Sequence, residues 1–327
     1  MKGLATVFGG SGFVGAQIVR ALARRGHRVR VAVRRPGLAY RLPMLGDVGQ
    51  IEIVQANIRD EESVARALEG AETCVNCVAV LHESGRQTFE SLHIEGAGRV
   101  AATAVAAGAE RFVQISAIGA DGASASAYAR TKAAGEAAVR AALPGATILR
   151  PSVVFGPADA FFNRFAAMAT RAPALPLIGG GLTRFQPVFV GDVAAAVAAA
   201  LEDPAAAGVT YELGGPSIYT FEALMRLMLA VIDRRPALVA VPFDAARVLG
   251  RVGDAIGRAG LLSPPITTDQ VEMLKVDNVV APGAPGLAAL GVAATALETI
   301  IPTYLYRYRK GGQYAESLQA AVPASTG

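Results

Sequence analysis

Short apolar runs alternate with amphipathic stretches through the first half of the chain. "LATVF", "RVRVAV", "IEIVQ", "TCVNCVAV", "RFVQIS" and "ATILRP" are nearly continuous in apolar residues, as strands covered on both faces should be. Between them, residues 14–25, 61–68 and 89–107, and the stretch holding Tyr128 and Lys132, read as helices. Strand and helix alternating at this interval predict βαβ units and an α/β fold built on a doubly wound parallel sheet.

After Pro151 the rhythm changes. "PLIGGGLTRFQPVFV" is rich in Pro and Gly, a helix over 192–201 returns to the sheet, and prolines at 236, 242, 264, 265, 282 and 285 break up the remainder. The expected plan is a nucleotide-binding domain over 1–157, rejoined by 186–202. A smaller, discontinuous C-terminal lobe takes 158–185 and 203–310, and 311–327 form a tail.

Two segments of that lobe suit a partner. Within 243–262, Arg247, Arg251, Asp254 and Arg258 form one stripe, while Val248, Leu249, Val252, Ile256 and Ala259 form the opposite one. Such a basic amphipathic helix lies on a membrane surface or a partner, or is an ordinary half-buried helix. In "TALETIIPTYLYRYRKGGQY", Thr295 and Glu298 have capping-box spacing and Pro302 should kink or interrupt the helix. Tyr304, Tyr306 and Tyr308, with Arg307, Arg309 and Lys310, then concentrate residue types favoured at interfaces.

Composition narrows the classes. Apolar residues make up 52% and charged residues 18%, which specifies a globular chain. The net charge of +4 is spread over scattered arginines with no aromatic-interleaved groove, so nucleic acid is not the expected partner. The chain opens directly on a strand, without a basic segment and apolar core, and its Ala-rich runs are too short to span a membrane. The expected location is therefore the cytoplasm, and the Ala, Gly, Arg and Pro content suggests a bacterial source. Cys74 and Cys77, three apart on a strand, point to opposite faces and cannot converge, and no second Cys/His pair exists for zinc. His27, His82 and His93 lie on separate segments, so no metal site is expected.

The chemistry concentrates at the N-terminus. "TVFGGSGFVGAQIVRAL" places Gly9, Gly12 and Gly15 between the first strand and the first helix. Gly9 permits the tight turn, Gly12 lets a pyrophosphate approach the backbone, and Gly15 lets helix and strand pack closely. Free amides at the helix start then face the phosphates, as in a Rossmann domain. At the end of the second strand, "VAVRRP" puts Arg34 and Arg35 where NAD-binding chains carry an acidic residue. Arginine there suits a 2′-phosphate, so NADPH is the expected nucleotide.

In order, "GGSGFVG", "VAVRRP", "QANIRD", "CVAV", "YARTK", "LRPSVVFGP" and "VFVGDVA" resemble an extended or atypical short-chain dehydrogenase/reductase over nearly the whole chain. Within that superfamily, "YARTKAAGE", "RPSVVFGPADAFFNRFA", "FQPVFVGDVAAAV", "SPPITTDQVEML" and "LGVAATALETIIPTYLYRYR" are most similar to the NADPH-carrying accessory subunit of respiratory complex I. The resemblance implies that Ser11, Gly12, Phe13 and Val14 meet the pyrophosphate and Arg34 the 2′-phosphate. Asn57 and Ile58 would border the adenine, although relatives often have Asp at the first of these. Ala79 and Val80 would line the nicotinamide-side ribose, and Pro151 and Val154 the nicotinamide.

In active members a tyrosine and a lysine four residues apart act as acid or base and ribose holder, roles that fall on Tyr128 and Lys132. A serine normally completes the set. Ser116 is the nearest match, but relatives place theirs one or two residues further on, at Ala117 or Ile118 here, while Ser124 and Ser126 are also in reach along the sequence, in an Ala/Gly loop. Three readings follow. The first is a structural, NADPH-binding accessory subunit of a bacterial NADH:quinone oxidoreductase, peripheral on the cytoplasmic side of the inner membrane and docked to other subunits through its C-terminal lobe. The second is a free NADP-dependent reductase, epimerase or dehydratase of a sugar nucleotide or small carbonyl compound, with Phe161, Phe162, Arg164 and Arg184 as substrate contacts. The third is an NADP(H)-sensing regulator.

Overall fold

The computed structural model describes residues 2–259 and 266–312. Its first half is β1 (Lys2–Phe8), α1 (Phe13–Arg24), β2 (His27–Val33), β3 (Ile51–Gln55), α2 (Glu61–Leu68) and β4 (Thr73–Asn76). There follow α3 (Glu95–Ala106), β5 (Arg111–Ile115), α4 (Ala127–Ala142) and β6 (Thr147–Pro151). A five-residue π-helical turn, Glu90–Ile94, leads into α3.

Strand alternation divides the core into two layers. Ala5, Val7, Val31 and Val75 pack with Ile18, Val19 and Leu22 of α1. Phe8, Ala32, Cys74 and Phe112 face the other way, onto Val64 and Leu68 of α2 and Val100 of α3. The cysteines follow the same rule: Cys74 belongs to the second layer and Cys77 packs against the first. Both thiols are pushed well above their ordinary pKa, chiefly by burial.

Beyond β6 come β7 (Val154–Phe155), α5 (Phe162–Ala169), β8 (Ala174–Ile178), β9 (Arg184–Phe185), β10 (Val188–Phe189) and α6 (Val190–Glu202). The chain continues through β11 (Thr210–Leu213), β12 (Tyr219–Thr220), α7 (Phe221–Ile232), β13 (Ala237–Val241), α8 (Phe243–Ala259) and α9 (Thr268–Met273). It closes on α10 (Leu297–Ile300) and α11 (Pro302–Leu305). Among the described residues the main sheet has seven strands in the order β11-β6-β5-β4-β1-β2-β3. Every pairing within it is parallel.

The expected domain plan needs two changes. β11 pairs with β6 at the edge of the main sheet, so the boundary drawn at 203 falls too early. Leu287 and Leu290 also return to the main core, beside α6. The short, glycine-flanked strand and the isolated leucines carry too little periodicity to be assigned from sequence.

The second lobe has its own core, including Phe155, Phe162, Leu224, Met228, Ile301 and Leu305. Pro302 opens α11, a position where its missing N–H leaves no helical bond unmade. The expected capping box at 295–298 does not form. Asp192 accepts both the Thr295 amide (2.7 Å) and the Thr295 hydroxyl (2.8 Å), while Glu298 accepts the Tyr219 hydroxyl (2.5 Å). Tyr304, expected on a docking surface, is buried and donates to Asp159 at 2.5 Å.

Helix α8 turns its small residues toward the protein. Ala246, Gly250 and Gly253 face the protein, and a Cβ on Gly250 would lie 2.8 Å from the Thr268 amide nitrogen. Val248, Leu249 and Val252 point outward, each more than half exposed (59, 55 and 57%). These three residues of the apolar stripe are therefore on the surface, while Ile256 is half-buried. Of the stretch expected to dock, residues 260–262 lie outside the described residues, as does the tail beyond 312.

Candidate nucleotide-binding site

The strand order reverses at β1, which has β2 on one side and β4 on the other. In open α/β sheets the crevice beyond such strand ends is where ligands bind. Gly9 stands there with φ +79°, a left-handed conformation that glycine adopts without cost. The Gly12 amide donates to the Gly9 carbonyl at 3.0 Å. A Cβ on Gly15 would sit 2.3 Å from that same oxygen, so only glycine allows α1 to begin so close to the turn. Gly12 caps α1 with no side chain, and the first turn has no acidic residue. Its amides are thus left for an external acceptor.

Other expected contacts occupy the same end of the sheet. Ser11 is exposed, Phe13 and Val14 are half-buried, and the Phe13 ring lies against Gly156. Arg34 and Arg35, just past β2, are exposed, and their guanidinium groups have no ion pair or hydrogen bond among the described residues. Ala79 is exposed and Val80 half-buried in the loop after β4, which abuts the glycine turn: a Cβ on Gly9 would lie 3.1 Å from Val78. Pro151 ends β6 and is buried, and Val154 opens the next segment half-buried. Past β3, Ile58 is buried, and the Asn57 side-chain oxygen is engaged by the Arg59 amide at 3.2 Å, closing a local turn.

Tyr128 and Lys132 share the inner face of α4, both buried. The Tyr128 hydroxyl has no hydrogen-bond partner among the described residues. Burial, and then the Asp269 carboxylate, push its pKa up to about 12. Lys132 donates from Nζ to the Ile115 carbonyl at 2.8 Å. Burial brings its pKa down to about 8, against the favourable field of Glu136.

Ser116 is buried just past β5. Its hydroxyl is bonded to the Glu136 carboxylate, which also pairs with Arg150 through two bonds of 2.9 and 2.7 Å. Arg150 reaches Glu212 at 3.5 Å, completing a network beneath the sheet end. The hydroxyl expected to assist Tyr128 is therefore a structural link. Glu136, four residues after Lys132 in "YARTKAAGE", was a legible signal for this network.

Three further residues escaped sequence reasoning. Asp269 of α9 accepts from the Ser126 hydroxyl (2.8 Å) and the Ala127 amide (2.5 Å), capping α4 from the other lobe. Asn278 accepts from the Val153 amide at 3.1 Å and donates to the Ile118 carbonyl at 3.2 Å. It thereby ties together the segments after β5 and β6. His93 joins the loop after β4 to α4. Of the residues expected to touch a substrate, Phe161 and Phe162 pack within the second lobe's aromatic core, and Arg184 pairs with Asp277 at 2.7 Å.

The model of the NAD dependent epimerase/dehydratase family matches residues 5–214. The chain belongs to that family. Its relatives there include the mitochondrial NADH dehydrogenase [ubiquinone] 1 alpha subcomplex subunit 9 of Arabidopsis thaliana, 36% identical across 98% of this chain and 82% of the relative. A ceramide reductase of Caulobacter vibrioides is 33% identical across 78% of each. Among solved structures, a Citrobacter sp. triphenylmethane reductase complexed with NADP(H) superposes with a TM-score of 0.70 over 92% of this chain and 99% of that one, at 19% identity. That likeness concerns the fold. As an epimerase-family domain, the chain fits a dinucleotide on its own geometry: the glycine turn leaves no room for a Cβ at Gly15, the α1 amides are uncapped, and the Tyr128 hydroxyl has no partner among the described residues.

Proposed function

We propose that this chain is an NADPH-binding accessory subunit of a bacterial respiratory NADH:quinone oxidoreductase, holding the nucleotide as a brace rather than consuming it. The observation that carries this reading is Ser116. Its hydroxyl is bonded to Glu136, which leaves Tyr128 without the neighbouring hydroxyl that would align a substrate oxygen. A tyrosine titrating near pH 12 is also poorly matched to proton transfer at neutral pH.

A bound dinucleotide would span the crevice. The glycine turn and α1 amides would hold the pyrophosphate, Arg34 and Arg35 the 2′-phosphate, and the segments at 79–80 and 151–154 would flank the nicotinamide end. The nicotinamide supplies a hydride in enzymes that use it. Here the surrounding groups bind and orient. Because the native form alone presents these contacts, nucleotide binding stabilises the fold by mass action.

The kinship with the Arabidopsis subunit, which extends well beyond residue 214, supports partnership with other subunits of such a complex. The docking face is the second lobe, where α8 offers Val248, Leu249 and Val252 beside the exposed Arg251. An apolar stripe bordered by a cation also suits the anionic surface of the cytoplasmic leaflet of the inner membrane. No helix among the described residues is long and apolar enough to cross a membrane, in keeping with peripheral attachment.

Gentle detergent extraction of native membranes, followed by capture on this chain, tests the reading. Co-purification of the respiratory NADH:quinone oxidoreductase subunits is expected, and recovery of the chain alone contradicts it.

A second reading, a free NADP-dependent reductase, draws on the Tyr128 hydroxyl, which has no partner among the described residues and lies one helical turn from Lys132, and on the Caulobacter relative. Steady NADPH oxidation with a carbonyl substrate, abolished in Tyr128→Phe, would establish it.

A further inference from the structure

His93 stands between two walls of the crevice with both ring nitrogens engaged. Nε2 accepts from the Val80 amide at 3.2 Å, so the proton resides on Nδ1, which donates to Thr131 Oγ1 at 3.2 Å. Thr131 in turn donates to the Ala127 carbonyl at 2.8 Å. Every donor and acceptor in this relay has a defined role. The ring is stacked on Phe89 (5.3 Å between centroids) and meets the Tyr128 ring edge-on (5.4 Å, 90°).

The backbone is shaped to hold it there. His93 lies in the π-helical turn Glu90–Ile94, whose wider winding changes the direction of its side chains relative to α3. Helix α4 rests directly on that turn: a Cβ on Gly135 would lie 1.9 Å from the His93 carbonyl oxygen. On the other side, residues 77–80 have no regular secondary structure and depend on individual bonds. Cys77 is anchored to the Phe8 carbonyl (3.1 Å) and Val78 to the Asn76 side chain (3.2 Å), both from the strands below. His93 supplies the anchor that crosses to α4.

We propose that His93 is a positioning residue for the nicotinamide end of the nucleotide, bolting the loop at Val80 to the helix that carries Tyr128 and Lys132. The inference rests on the nucleotide-binding reading above. A dinucleotide whose phosphates lie on the glycine turn must pass its second ribose between this loop and α4. The relay sets the width of that passage. It does not touch the adenosine side, beyond β2 and β3.

The test compares two ligands by calorimetry on the full chain: NADPH, and adenosine 2′,5′-bisphosphate, which ends before the second ribose. In His93→Phe, which keeps an aromatic ring and loses both bonds, NADPH should bind roughly tenfold more weakly, with the bisphosphate unchanged. Thr131→Val, which removes the middle of the relay at nearly constant volume, should do the same. His93→Gln, able to accept and donate, should recover most of the loss. The two gentler variants carry the test if His93→Phe fails to fold. Unchanged NADPH affinity, or equal weakening of both ligands, overturns the positioning role. Failure of the wild type to bind either ligand overturns the nucleotide reading, and this role with it.

Discussion

Asp269, on the second lobe, accepts a hydrogen bond from the Tyr128 amide at 3.2 Å, across 141 positions of sequence. The same carboxylate takes the Ser126 hydroxyl and the Ala127 amide, so the start of α4 is capped by a residue of the other lobe. A carboxylate at a helix N-terminus is favoured by the partial positive charge there. The consequence is mechanical as well as electrostatic: the helix that carries Tyr128 and Lys132 is held in place by the second lobe, on which the proposed docking face lies. Asp269→Asn should cost about 1 kcal/mol of stability. It should also bring the Tyr128 pKa down from about 12, because one of the two causes of the shift disappears. Urea unfolding and a carbon-detected tyrosine titration, assigned with Tyr128→Phe, measure the two effects.

Arg34 and Arg35 have no ion pair or side-chain hydrogen bond among the described residues, so replacing them should leave the fold intact. Arg34→Ala should weaken NADPH binding by about a hundredfold while leaving NADH affinity nearly unchanged, since only NADPH presents the 2′-phosphate. Parallel calorimetric titrations of the two nucleotides check this. Equal losses for both would mean that these arginines do not read the phosphate.

Lys132 predicts a pH dependence of stability. Its pKa falls from 10.5 to about 8 on folding, so the unfolded chain binds more protons in that window. Stability from this group therefore rises between pH 8 and pH 10, by of order 3 kcal/mol at full extent, as burial of the ammonium ceases to cost. Cys77 and Tyr128 act oppositely, since their raised pKa values, each about 12, withdraw stability as pH climbs toward that value. The difference between wild type and Lys132→Met in urea midpoint isolates the lysine. The wild type should gain on the variant across the window.

The proposed docking face is tested by Val248→Asp combined with Leu249→Asp. Both side chains are more than half exposed, so thermal unfolding of the isolated chain should be nearly unaffected. Recovery of the chain with the proposed respiratory partner subunits should fall severalfold. Unchanged recovery would place the interface elsewhere.

The βαβ half was legible because parallel strands buried on both faces must read as nearly continuous apolar runs, as the buried stretches 5–8 of β1 and 112–115 of β5 do. The glycine turn was legible for a comparable reason: Gly9 and Gly15 answer local steric demands that other residues fail. What escaped were contacts without a local signature. Asn278 lies 160 positions from Ile118, and no periodicity joins them. The outward stripe of α8 shows the limit of helical spacing, which groups Val248, Leu249 and Val252 on one side without saying which side faces the protein. Glycine at 250 and 253 was the available sign that the opposite side packs closely. Ser116 was one or two positions short of the spacing seen in active relatives, and its bond to Glu136 gives that offset a physical meaning.

Retention of the nucleotide through respiratory turnover tests the central claim most directly. Dinucleotide is extracted from the purified assembly before and after sustained NADH oxidation, then identified and quantified by mass spectrometry. The account predicts one NADPH per copy of this chain, reduced and undiminished in both samples. NADPH missing at the outset, or oxidised or lost in step with turnover, would contradict it.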